Sequence, residues 1–283
     1  EYQWGSIRDD FNFGSVLLFD TKTLKAAAAG LRQPFQFAGL YALRMAVSRL
    51  RPITRVGEHL YGKVELDVRR SDQKQFDYVD PKNRAVQIEM ESAANEHLKR
   101  IGAWLKPRFK TPDLKHTAFA AEATVVIPVK DRVKTVGDAV SSVLKQQTNF
   151  PFNLIVVDNH STDGTTDLLR SFAQKDKRMI HVIPERQDLL IGGCWNEAIM
   201  HPTCGRFAIQ LDSDDIYKDE TTLQKIVDAF HRENCAAVIG SYRMTNFQLQ
   251  EIPPGVIDHK EWTPDNGRNN ALRSHGLGAP RAY

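Results

Sequence analysis

Thr124-Val125-Val126-Ile127-Pro128-Val129 is an unbroken apolar run, and the reading of the fold turns on it. It reads as a short strand. Immediately after it, Val133, Val136, Val140, Val143 and Leu144 recur at helical spacing. The same alternation continues as strand Asn153–Val157, helix Thr165–Ala173, strand Ile180–Ile183, helix Gly192–Met200, strand Arg206–Leu211, helix 220–232 and strand Ala236–Ser241. Strands joined by helices through connections of a few residues run parallel with right-handed crossovers. The expected fold class is therefore α/β, a mostly parallel, Rossmann-like sheet flanked by helices, with ligands at the carboxyl ends of its strands.

Upstream, Asp80-Pro81 reads as a cap and a first-turn proline, and Val86, Met90, Ala94, His97, Ile101 and Leu105 trace one face of a helix over 81–105. Pro107 to Ala121 has little periodicity and reads as a linker, with a boundary near residue 115. Residues 81–116 are thus expected to form a connecting helix and linker, and 117–283 the α/β domain.

Composition narrows the classes. A chain of 283 residues with 41% hydrophobic content suffices for one or two packed units. Cys194, Cys204 and Cys235 are too few for a disulfide framework and lack zinc-site spacing, which favours a reducing, cytoplasmic compartment. No apolar stretch approaches the roughly eighteen residues of a membrane span, and Arg8, Asp9 and Asp10 break any signal-peptide layout. Peripheral membrane association stays compatible with this. The 38 basic and 35 acidic residues are interspersed, which argues against nucleic acid as a partner. A start at Glu1 rather than methionine and a stop at Tyr283 inside an ordered-looking segment lead to the expectation of a fragment.

Three strand ends carry chemistry. Pro128-Val129-Lys130-Asp131-Arg132 leads into a helix, so its backbone amides are expected to face an anionic or nucleotide group. Val156-Val157-Asp158-Asn159-His160-Ser161-Thr162-Asp163-Gly164-Thr165 sets a carboxylate at a strand tip; capping of the next helix accounts for Ser161 to Asp163 but not for Asp158. Asp212-Ser213-Asp214-Asp215 puts three carboxylates within four residues, which repel unless a hard divalent cation such as Mg2+ or Mn2+ neutralises them. The competing reading, that Asp212 to Asp215 cap the helix near residue 220, stays open at this point.

In order and spacing, these three segments resemble the family-2 glycosyltransferases of GT-A fold. The resemblance implies that Asp158 contacts the nucleobase or ribose, that Pro128, Val129 and Arg132 border the nucleotide pocket, and that Asn159, Ser161 and Ser213 join the nucleotide-sugar-binding set. It implies that Asp212 and Asp214 are the DxD aspartates holding Mn2+ or Mg2+, with Asp215 beside them. Asn196 falls where the family has an asparagine on a short helix, although Cys194-Trp195 replaces the usual small residue and arginine; on composition alone Trp195 is a core residue. His259 and His275 are not assigned as ligands. The implied reaction is transfer, with inversion, of a sugar from a UDP-linked donor to a glycan or lipid-linked acceptor. Such a reaction needs a general base, which in the family lies in a Glu-Asp pair beyond the DxD motif. Leu277 to Tyr283 resembles the strand preceding that pair, so the base is expected after Tyr283.

Residues 13–19 (Phe-Gly-Ser-Val-Leu-Leu-Phe) align with 277–283 as an internal repeat, and Leu40 to Arg49 followed by Ile53 to Tyr61 resembles the helix and closing strand of the later half of a GT-A domain. Residues 1–80 are therefore expected to form a smaller α+β half-domain, in which Phe37-Ala38-Gly39-Leu40 lacks the base carboxylate. Two arrangements fit: a window cut from a tandem transferase, or two halves in one permuted sheet. A nucleotidyltransferase is disfavoured because Pro128 to Arg132 has no glycines, while a non-catalytic nucleotide-sugar-binding or scaffold module remains the alternative.

Overall fold

The computed structural model describes residues 6–8, 16–54, 56–62, 84–106, 108, 110–114, 118–258 and 281–283. The chain divides into two compact units, one built from 1–108 and 243–277, the other from 109–242 and 278–283. That division falls a few residues before the expected boundary, and it groups 243–277 with the first unit.

In the first unit, α1 (Thr21–Ala29), α2 (Gly39–Leu50) and α3 (Arg84–Arg100) are helices. Asp20 caps α1 by accepting the Thr23 N–H at 2.8 Å. No side chain of its own caps α2. The amides leading into it are held from α3, where the Glu89 carboxylate accepts the backbone N–H groups of Gln36, Phe37 and Ala38 at 3.0, 2.7 and 3.0 Å. Tyr41, Ala42 and Met45 of α2 pack with Ala93, Ala94 and Leu98 of α3. The helix expected as a connector is thus a packing partner of α2, because its Ala93-Ala94 pair lets the two backbones approach. The closing strand expected over Ile53 to Tyr61 is not formed among the described residues, which are irregular there. The expected residues 81–83, His259 and His275, and half of the aligned repeat, lie outside the described residues.

The second unit holds β1 (Ala123–Val129), α4 (Val136–Leu144), β2 (Phe152–Asp158), α5 (Thr165–Lys175), β3 (Met179–Val182), α6 (Ile191–Ile199), β4 (Phe207–Gln210), α7 (Thr222–Glu233) and β5 (Val238–Ile239). β6 (Tyr242–Thr245), whose first residue still belongs to the second unit, and β7 (Glu251–Ile257) form a two-stranded sheet; β8 (Arg281–Ala282) belongs to the main sheet. The main sheet runs β3-β2-β1-β4-β8-β5. The pairs β3–β2, β2–β1 and β1–β4 are parallel, and β8 lies antiparallel to β4 and β5.

Both faces of this sheet are covered, as the unbroken apolar run of β1 requires. One side packs Val125, Ile127, Leu154, Val156 and Ile209 against Val136, Val140 and Val143 of α4, Leu169 of α5, and Leu223, Val227 and Phe230 of α7. The other packs Val126, Ile155 and Val157 against Cys194 and Ala198 of α6. Gly164, at φ 98°, takes the left-handed turn into α5 that a side chain resists. Gly205 precedes β4 where a Cβ would meet the Ala121 carbonyl oxygen at 2.9 Å, so the strand enters only without a side chain. The expected α/β class and its strand and helix order are found, with β5 reduced to Val238–Ile239 and β3 ending at Val182.

Phe230 is fully buried and its ring stacks on Phe207 with centroids 4.2 Å apart. Phe230→Ala is expected to cost about 3–5 kcal/mol, read as a fall in the denaturant midpoint at unchanged m-value.

Candidate functional site

The chain goes from β1 outward to β2 and β3, then returns to place β4 on the opposite side of β1. This reversal is a topological switch point, where loops leaving neighbouring strands part and open a crevice at the carboxyl edge. It brings together the segments after β1 (Val129 onward), β2 (Asp158 onward) and β4 (Leu211 onward).

The first two loops are stitched to each other. The N–H of Asp131 donates to Ser161 Oγ at 3.0 Å, that of Arg132 to Thr165 Oγ1 at 2.9 Å, and that of Val133 to Asp163 Oδ2 at 3.0 Å. In return, Asp131 Oδ1 accepts the N–H of Thr162 at 2.7 Å. The amides expected to face an anion after β1 are therefore occupied by side chains of the second loop, whose short polar residues outcompete solvent for them. Of Ser161 to Asp163, expected to cap α5, Asp163 alone accepts an amide of that helix, the Thr165 N–H at 3.0 Å, while Ser161 and Thr162 bond to Asp131. Asp131 and His160 both take left-handed φ values, 53° and 58°.

Asp158 is fully buried. Its carboxylate accepts the Ser161 N–H at 3.0 Å, the Thr166 hydroxyl at 2.6 Å and, at 3.4 Å, a contact from His181 Nε2. Burial pushes the carboxyl up, but the hydrogen bonds from His181, Ser161 and Thr166 outweigh it and hold the group well below the usual carboxylate range. Asn159 is buried beside it, and its Nδ2 donates to the Leu189 carbonyl. Its Oδ1, by contrast, has no hydrogen-bond partner. A buried acceptor left empty calls for an explanation, and a ligand donor is one.

The third loop is unlike the other two. Asp212 Oδ1 accepts from Gln210 Nε2 at 2.8 Å, while Asp214 and Asp215 accept no side-chain hydrogen bond among the described residues. At the start of α7, Gln146 Oε1 accepts the Leu223 N–H at 2.8 Å, and Asp219 accepts the Thr221 N–H at 2.9 Å together with the hydroxyls of Thr221 and Thr222. That removes the reading of Asp212 to Asp215 as a helix cap. Asp215 reaches solvent yet is crowded by protein; this desolvation, followed by repulsion from Asp212 and Asp214, raises its carboxyl to about 6. Among the described residues no three His, Cys, Asp or Glu side chains converge into a metal cage. The donor set is nevertheless two or three hard carboxylate oxygens with unmet acceptor capacity, which suits a cation that completes its shell with substrate oxygens.

Of the remaining residues expected at the site, Pro128 lies at the end of β1 and Val129 beside it, with the Val129 carbonyl accepting the Asn159 N–H at 2.8 Å. Arg132 is exposed and Ser213 buried. Asn196 is exposed on α6 and makes no side-chain hydrogen bond among the described residues. Trp195 packs partly buried on the α6 face and, with Ile199, Ala208, Gln210, Arg281 and Tyr283, lines a hollow of about 300 Å³. Sequence reasoning missed Asp131, His181 and Gln210 as parts of this site. The first lay inside a quoted motif, but nothing local marked its left-handed backbone; the other two sit on strands as ordinary polar residues.

The site is thus an α/β domain with a mostly parallel sheet that carries two polar loops and an acidic loop at its switch point. The family model described as Glycosyl transferase family 2 matches residues 124–277, and the chain belongs to that family. Among curated proteins it is 31% identical over 121 residues to TuaG of Bacillus subtilis (strain 168), a glycosyltransferase named for teichuronic acid biosynthesis, covering 43% of this chain and 46% of TuaG. It is 30% identical over 96 residues to the O-antigen chain rhamnosyltransferase WbaN of Salmonella anatum, covering 34% of this chain and 29% of WbaN. The chain thus spans less than half the length of these relatives. Among solved structures it is similar to S. aureus TarS 1–349 in complex with UDP-GlcNAc, at 23% identity and a TM-score of 0.39, over 47% of this chain and 37% of that one.

Because the Asp215 carboxyl is raised, the folded state binds its proton more readily than the unfolded chain, and the ionised form destabilises the fold above about pH 6. Asp215→Asn is therefore expected to raise the melting temperature at pH 8, with the gain shrinking as pH falls through 6 and vanishing below about pH 4, where both states are protonated. Thermal unfolding of the two proteins from pH 4 to 8 checks this.

Proposed function

We propose that this chain carries the donor side of an inverting glycosyltransferase that moves a sugar from a nucleoside diphosphate to a glycan or lipid-linked acceptor in the cytoplasm. The observation that carries the reading is the acidic loop: Asp212, Asp214 and Asp215 stand at the switch-point edge without capping a helix and without an ion-pair partner among the described residues. Asp212 and Asp214 would hold Mg2+ or Mn2+. When bound, such a cation supplies neutralising charge to the departing diphosphate.

The nucleoside is assigned to the loop after β2. The Leu189 carbonyl engages the Asn159 amide nitrogen, which leaves the buried Oδ1 as an acceptor without a protein partner, and a nucleoside donor would fill it. An acceptor there suits a base with a ring N–H, as in uracil or guanine, and the family resemblance favours UDP. Pro128, Val129, Arg132, Asp158, Ser161 and Ser213 would shape the surrounding wall, with Asn196 on α6 facing the donor sugar. The general base is not assigned to any of these residues.

Calorimetry and thermal-shift titration with UDP, GDP and their sugars, with and without Mn2+, test the reading. Stabilisation by one nucleotide that requires metal is expected, amounting to about 2.7 kcal/mol at a hundredfold excess over Kd. It should be lost in Asp212→Ala and Asp214→Ala. A shift that is independent of metal and of both aspartates would defeat the proposal, as would the absence of any shift.

A further inference from the structure

The stitched pair of loops has a feature that packing alone does not require. Asp131 and His160 sit at facing tips in left-handed backbone conformations, which cost a non-glycine residue about 1 kcal/mol or more. Such conformations persist only where the surroundings over-determine them. At Asp131 they do. Its N–H is held by Ser161 Oγ at 3.0 Å, while its carboxylate takes the Thr162 N–H at 2.7 Å and lies 3.3 Å from the Thr162 hydroxyl. The next two rungs, Arg132 to Thr165 and Val133 to Asp163, continue the same seam.

The seam joins the two loops that leave β1 and β2, whose register pairs Val129 with Asp158 at the strand ends. Asn159 follows directly, its N–H bonded to the Val129 carbonyl at 2.8 Å. Asn159 itself is held by the Val129 and Leu189 carbonyls, and the two loops on either side of it are tied to each other by the hydrogen bonds that Asp131 gathers from the opposite loop. From this we infer that Asp131 is a positioning residue for the nucleoside of the donor. It touches no ligand; it holds the wall that does, so that the pocket is formed before the nucleotide arrives and ordering of the loops is not charged to binding. This rests on the donor-site reading proposed above.

Three variants test it, with nucleotide affinity by calorimetry and melting temperature measured on each. Asp131→Asn keeps a carbonyl acceptor for Thr162 and a residue type tolerant of the left-handed region, and is expected to bind UDP within about twofold of the parent. Asp131→Gly keeps the backbone conformation but removes the latch, and should bind about tenfold more weakly. Asp163→Ala, which cuts the Val133 rung from the other loop, should weaken binding in the same sense. Equal affinity in Asp131→Gly, or a loss in Asp131→Asn as large as in Asp131→Gly, overturns the positioning role while leaving the donor site standing. A parent chain that binds no nucleotide overturns the donor site and the positioning role together.

Discussion

Everything at the site depends on β1 being buried on both faces and hydrogen-bonded along both edges. Val125, Val126 and Ile127 have no exposed surface, and β2 and β4 flank the strand in parallel register. Burying one such side chain is worth about 1.5–3 kcal/mol, and a one-residue slip would exchange the two faces, so the register is strongly specified. With β1 central, β2 and β4 must depart from it in opposite senses, and the crevice at its carboxyl end follows from that geometry.

The two sides of the crevice are electrostatic opposites. In the loops after β1 and β2, Asp131, Asp158 and Asp163 accept from amides and hydroxyls, and the hydrogen bonds on Asp158 overcome its burial and stabilise its ionised form. On the β4 side, Asp215 is pushed towards the neutral form by desolvation and by its two neighbours, with no donors to relieve it. Carboxylates of one kind thus do two jobs. Where donors surround them the ionised form is favoured, and where donors are missing burial and neighbouring charge favour the neutral one.

Much of this was legible beforehand. Period-3.6 and unbroken apolar patterns placed the helices and strands of 123–239 close to where they lie, since burial dictates those patterns directly. The three loop motifs were also visible, and topology brings their strand ends to one edge. Where the reading departed from the structure, the missing information was non-local. The Glu89 carboxylate that holds the amides leading into α2 lies more than fifty residues away, and the Leu223 amide in the first turn of α7 is met by Gln146, not by the tetrad before it. The strand foreseen at Ile53 to Tyr61 had β-compatible residues, yet no strand partner forms beside it among the described residues.

The sequence by itself determined the alternation of elements, the apolar faces and the three polar strand ends, because each is written in residues that are neighbours along the chain. Only the tertiary structure decided that the amides of 131–133 are spent on Ser161, Thr165 and Asp163, that Asp158 is enclosed, and that Asn159 keeps one acceptor empty. A hydrogen bond between loops some thirty residues apart depends on distances of a few tenths of an ångström. Those distances exist only once the sheet has set the loops side by side.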